Sequence, residues 1–245
     1  MNYSKEEIFQ ILIDFYNFQS AFDLEVDKEI DFYFNTSINE WISICDLVEP
    51  KKLAKYYFES FELKTNYLQF ERIFLDGKNK NLGDLCEYLA IHSIKKEINP
   101  IILFGKSCKS AAIFKTLKSE LLKKGINANN LKPDSELLPF FRKYGGILLE
   151  IVSKISPGSL TNFEYEENKQ TSFGISLILI TVFLMIPILY FWSFHWLYFI
   201  PIIIGLLLTI IGRNLKPKKY SVGFSTFREL IYDMERKLEN KPLSY

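Results

Sequence analysis

The side chains that could do chemistry in this chain are few and widely spaced. Cys108 has the best local setting, between Lys106 and Lys109 at the start of a helix expected over 111–124. Helix N-termini and nearby cations both stabilise a thiolate. A thiol reaction also needs a base, and the nearest histidine, His92, stands 16 residues earlier with no spacing rule joining the two. Cys108 is therefore read as a turn residue, with a thiol-dependent enzyme kept as a rival. Gly105-Lys106-Ser107 carries the last three residues of a phosphate-binding loop. That loop needs a glycine five residues before Gly105, where Pro100 stands, so nucleotide hydrolysis by this route is excluded. Asp23, Glu25, Asp27, Glu29 and Asp31 form an acidic ladder, but a calcium loop counted from Asp23 would place Lys28 at the glycine position and Phe34 at the glutamate position. The ladder reads as a solvated face. Cys45, Cys86 and Cys108 contain no CxxC pair, which argues against a zinc site or a disulfide framework and fits a reducing compartment. No catalytic, cofactor-binding or metal-ligating residue is assigned.

The elements that would position such residues are mostly helices. Ser4 caps a first helix with an apolar stripe of Ile8, Ile11, Leu12, Phe15 and Phe18. Residues 21–34 alternate apolar and acidic, which predicts a strand or an extended loop pinned by every second residue. Pro50 opens a helix to about Phe61 with Leu53, Tyr56, Tyr57 and Phe61 inward. A turn over 76–81 leads into a helix capped by Asn81 and Asp84, with Leu82, Leu85, Cys86 and Leu89 buried. Gly125 ends the helix after Cys108, and Gly145-Gly146 breaks the chain before Ile147–Ile155. Thr226 and Glu229 form a capping box for a last amphipathic helix through Phe227, Leu230, Ile231, Met234 and Leu238, expected to dock on the second helical region.

Bulk composition is balanced, with 30 basic against 29 acidic residues and 48% hydrophobic content in 245 residues. That disfavours nucleic acid as a partner, since phosphate binding needs concentrated positive charge. From Gln170 to Gly212, however, 43 residues pass without Asp, Glu, Lys or Arg. At about 1.5 Å per residue this run suits two crossings of a ~30 Å hydrocarbon core. The sequence predicts a transmembrane helical hairpin over 170–212, with spans near Phe173–Tyr190 and Trp196–Gly212 and an aromatic turn between them. His195 in that turn reads as an interfacial residue. Arg213, Lys216, Lys218 and Lys219 place both termini in the cytoplasm, as in an integral protein of a bacterial inner membrane. The N-terminus has no basic segment leading into an apolar one, so no signal peptide is expected.

Residues 4–92 resemble the acyl carrier protein fold, a small four-helix bundle. The resemblance is carried by the helix from Ser4, the loop through Thr36-Ser37-Ile38, the helix ending Tyr57-Phe-Glu-Ser-Phe-Glu-Leu63, and Asn81-Leu-Gly-Asp-Leu-Cys-Glu-Tyr-Leu89. It implies a carrier-like bundle over 1–93 but not carrier chemistry. The family attaches phosphopantetheine to the serine of Asp-Ser-Leu, and the counterpart here is Asp46-Leu47-Val48. A weaker echo, Asn81-Leu-Gly-Asp-Leu-Cys against Thr226-Phe-Arg-Glu-Leu-Ile, raises a second, degenerate bundle over 94–165, completed by the tail at 213–245.

Together these features predict a mainly α protein, anchored in the lipid bilayer through 170–212, that acts as a non-enzymatic binding, scaffold or sensor module for a protein partner, without a cofactor. The rivals are an oligomerising effector that perturbs membranes and a thiol enzyme using Cys108.

Overall fold

Ser4 starts the first helix by a reciprocal cap. Its hydroxyl accepts the Glu7 N–H at 3.1 Å, and the Glu7 carboxylate accepts the Ser4 N–H at 3.1 Å. The computed structural model describes residues 2–23, 26, 30–45, 47–103, 106–166, 173, 175–182, 200–214 and 219–240. Helix α1 (Lys5–Phe22) buries Ile8, Ile11, Leu12 and Tyr16 at helical spacing. Beyond it the alternating segment forms no strand among its described residues; Val26 and Phe32 are buried, while 24, 25 and 27–29, with most of the acidic ladder, lie outside the described residues. Helices α2 (Ile38–Ile44), α3 (Pro50–Ser60), α4 (Tyr67–Leu75) and α5 (Leu82–His92) follow. Pro50 opens α3, which buries Leu53, Ala54 and Tyr57. Tyr56, expected inward, is exposed, because the buried arc of α3 centres on Tyr57 and leaves residue 56 on its shoulder. The core joins α1 to α5 and α3 to α4, with Phe70 and Phe74 of α4 packed against Phe58 and Tyr57 at 5.9 and 6.1 Å between ring centroids.

An antiparallel pair, β1 (Ile101–Leu103) and β2 (Lys106–Cys108), precedes α6 (Lys109–Lys123), which ends before Gly125 at φ +78°. That positive φ is the left-handed helix stop that glycine adopts without strain. Helix α7 (Leu137–Ile155) joins two helical stretches across non-helical Tyr144 (φ −134°, ψ 22°), one residue before the expected break at the two glycines. Next come β3 (Glu164–Glu166), α8 (Ile200–Asn214), β4 (Lys219–Ser221) and α9 (Phe227–Glu239). Thr226 caps α9 through the Glu229 N–H at 3.4 Å; the Glu229 carboxylate in turn takes the N–H of Ser225, not that of Thr226. Phe227, Leu230, Ile231 and Met234 are buried, and α9 packs on α6.

The chain separates into two units, 1–163 with 222–245 and 164–221. In the second unit β3 pairs antiparallel with β4, with Tyr165 opposite Tyr220. The transmembrane hairpin expected over 170–212 is corrected here: no helix among the described residues is long and apolar enough to cross a membrane. Helix α8 has 15 residues, a rise of about 22 Å against the ~30 Å of a hydrocarbon core. An uncharged run is a statement about composition, whereas a crossing needs one uninterrupted hydrogen-bonded helix of about 20 residues. The described part of the other helical stretch, 175–182, is shorter still. Residues 183–199, with the aromatic turn, Pro187 and His195, lie outside the described residues, as do 215–218 of the basic flank. The inner-membrane location and the orientation read with it rested on that hairpin and fall with it. The mainly helical part of the fold reading stands apart from it.

Candidate binding groove

Helix α4 begins where Asn66 accepts the N–H of Leu68 at 2.9 Å. It buries Phe70, Ile73 and Phe74, so Gln69, Arg72, Ile73 and Asp76 line its flank at i, i+3, i+4 and i+7. Helix α5 begins at the reciprocal cap of Asn81 and Asp84, whose two bonds measure 2.9 and 3.2 Å. It buries Leu82, Leu85, Cys86 and Leu89, which turns Asp84, Glu87, Tyr88 and Ile91 to the same flank at the same spacing. Between the two helices runs an open groove of about 730 Å³. Leu75 and Ile91 on its walls are 51% and 60% exposed, so apolar surface faces water there. Tyr88 is fixed in place: its hydroxyl lies 3.1 Å from that of Thr65, and its ring packs on Phe70 at 5.3 Å and His92 at 4.4 Å. The rim is charged on both sides. Lys80 lies 3.9 Å from Asp84, Glu87 lies 3.6 Å from Lys5, and Asn79 donates to Asp76 at 2.7 Å.

The thiols do not gather into a reactive site. Cys45 and Cys86 are buried, and burial pushes each thiol up to about 12, which keeps both protonated at neutral pH. Cys108 sits partly exposed at the N-cap of α6, with its sulfur 3.6 Å from the Ser110 hydroxyl. Lys109 beside it pairs with Glu239 at 3.8 Å, and His92 is engaged with the Tyr88 ring. Among the described residues no three His, Cys, Asp or Glu side chains are placed to hold a metal ion. Gly105 of the Gly-Lys-Ser run and Asp46 of the Asp-Leu-Val run lie outside the described residues; Leu47 packs partly buried against the first core.

Buried polar contacts instead join α1 and α3 to α7 and the turn after it. The fully buried Asp14 accepts the Gly158 N–H at 2.8 Å and the Gln10 amide at 3.0 Å, while Lys237 of α9 donates to the Gly158 carbonyl. The Gly158 peptide is thus gripped from two helices at once. Burial raises the Asp14 carboxyl above its ordinary value, against the opposing pull of these donors. Glu150 accepts from Lys154 at 2.8 Å, Lys124 at 3.0 Å and the Ser60 hydroxyl at 2.8 Å.

Sequence reasoning missed the groove because it read no helix over 67–75. The signal was present in Asn66 as a cap and in Phe70, Ile73 and Phe74 at i, i+3 and i+4. Fold and groove define a mainly helical chain that presents an open cleft of charged and apolar side chains on its N-terminal bundle. Comparison with protein-family models, with curated proteins and with solved structures finds no match to this chain.

Proposed function

We propose that the chain is a non-enzymatic protein-binding module whose α4–α5 groove seats an amphipathic helical segment of a partner protein. The observation that carries this reading is the groove itself: two helix flanks at i, i+3, i+4, i+7 spacing, with Leu75 and Ile91 exposed on its walls. Helix-in-groove recognition uses this geometry, apolar anchors inside and charged pairs at the rim fixing orientation. The resemblance to acyl carrier proteins supports a compact helical module without an attachment point, since Leu47 offers no hydroxyl to a phosphopantetheinyl donor.

The test is quantitative co-purification with full-length wild type and the Leu75→Asp and Ile91→Asp variants. Both positions are more than half exposed, so the fold should survive, which circular dichroism would check. A partner retained by wild type and lost by both variants supports the groove; equal retention by all three overturns it.

A further inference from the structure

We propose that residues 109–163 with 222–239 are a second copy of the helical module formed by residues 4–92, and that this copy, which has no counterpart of α4, is completed by α1 of the first. The proposal stands apart from any partner of the groove.

The backbone carries the first argument. Ser37 and Asn81 form an isolated antiparallel bridge, and so do Glu136 and Thr226. Around the first bridge, Ile38 N–H donates to Lys80 O, Leu82 N–H to Thr36 O and Gly83 N–H to Phe34 O. Around the second, Leu137 N–H donates to Ser225 O, Phe227 N–H to Ser135 O and Arg228 N–H to Pro133 O. The three bonds fall at identical offsets from the bridge. The turn before it repeats as well: Tyr33 N–H donates to the Thr36 hydroxyl and Lys132 N–H to the Ser135 hydroxyl, both at 3.0 Å.

Core positions carry the second. The buried set of α5, Leu82, Leu85, Cys86 and Leu89, recurs in α9 as Phe227, Leu230, Ile231 and Met234 at the same spacing. In α3, Leu53, Ala54 and Tyr57 recur as Leu148, Leu149 and Val152 of α7. In α1, Ile8, Leu12 and Tyr16 recur as Ile113, Leu117 and Leu121 of α6. The kink at Tyr144 divides α7 where α2 and α3 are separate helices. One repeated capping bridge could arise by chance; three helix faces in the same order around it require a common plan.

What the second copy lacks is α4. In chain order its place is taken by the 156–163 segment and the whole 164–221 unit. In the first copy α4 covers Tyr57 and Phe58 with Phe74 and Phe70. The equivalent residues, Val152 and Ser153, are fully buried although among the described residues no counterpart of α4 covers them. The cover is α1, which packs along α7. Asp14 faces Ser153 and holds Gly158, Tyr3 just before α1 donates to the Lys154 carbonyl at 3.1 Å, and Phe18 packs edge-on against Phe141 and Phe163 at 5.8 and 5.4 Å. Helix α1 therefore serves two cores, its Ile8, Leu12 and Tyr16 side the first and its Asp14 and Phe18 side the second.

Hydrogen exchange of the full-length protein tests this by peptide. Phe18→Ala should speed exchange across 145–155 about tenfold and leave 67–92 protected, because Phe18 lies outside the first core. Phe70→Ala, on α4, should do the reverse. If Phe18→Ala does not fold, Phe18→Leu makes the same comparison. Unchanged exchange across 145–155, or equal loosening of 67–92 by the α1 variants, overturns the proposal.

Discussion

Replacing Glu150 by glutamine removes the charge at the centre of the contact between α3 and α7. The Glu150 side chain is 8% exposed and Lys154 is 18% exposed, so the pair is nearly dry, whereas Lys124 is 43% exposed. Burial alone would raise the Glu150 carboxyl, but Lys154, Lys124 and Ser60 hold it below its ordinary value. At Lys154 the balance is opposite: burial outweighs the pairing with Glu150 and lowers the ammonium. Glutamine keeps the shape and leaves that ammonium without its counter-ion. Breaking a buried pair on one side costs about 3–5 kcal/mol. Lys154 retains the Ser60 hydroxyl at 2.6 Å and Lys124 can return to water, which places the expectation at the low end, about 3 kcal/mol. With a urea slope of about 3 kcal/mol per M, the midpoint should fall by about 1 M. The double variant Glu150→Leu with Lys154→Met should recover most of the loss, since no buried charge is then stranded. Because the folded carboxyl lies below its unfolded value of 4.5, its contribution is present above that pH and is lost as pH falls through the folded value. The gap between wild type and Glu150→Gln should therefore close in acid. A midpoint change equivalent to less than about 0.5 kcal/mol, or a double variant no better than the single one, would refute this reasoning.

Asp14 should show the opposite pH dependence. Its folded carboxyl lies above the ordinary 3.8, so its contribution is fully present below that pH and is lost as pH rises through the folded value. Asp14→Asn, which still accepts the Gly158 N–H, should gain stability relative to wild type across that window in urea titrations; a pH-independent difference would contradict it. Leu230, fully buried in α9, should cost about 2–5 kcal/mol when cut to alanine, read as a lower unfolding midpoint of the whole chain. A change under about 0.5 kcal/mol would show that α9 is not part of the core. Incubation with coenzyme A and a broad-specificity phosphopantetheinyl transferase should leave the intact mass unchanged, and an added prosthetic arm would show an attachment site elsewhere than residue 47.

Local rules made much of the helical framework legible before any coordinates. The Ser4 and Asn81 caps, Pro50 at the start of α3 and Gly125 at the end of α6 each act within a few residues, and each is present in the structure. What a one-dimensional pattern could not show was which partner each helix face meets. Asp14 reads as one more polar residue on an amphipathic helix until Gly158, 144 residues away, closes over it. Glu150 likewise acquires its role from Ser60 and Lys124 on other elements. Helix α4 was lost because Gln69 and Arg72 interrupt a short apolar stripe, and with it went one wall of the groove. The membrane reading failed for a different reason. It took an uncharged run as two crossings, whereas no helix among the described residues is long and apolar enough to cross a membrane.

The most direct measurement of the binding account is photo-crosslinking from single positions of the full-length protein in its native extract. A photoreactive residue placed at Ile91 or Leu75, on the walls of the groove, should capture one and the same partner, and the crosslinked partner peptide should carry apolar residues at i, i+3 or i+4 spacing. The same probe at Val48, also exposed but not among the groove-lining residues, should not capture it. Capture from Val48 as strong as from Ile91, or no shared partner at Ile91 and Leu75, would contradict the account.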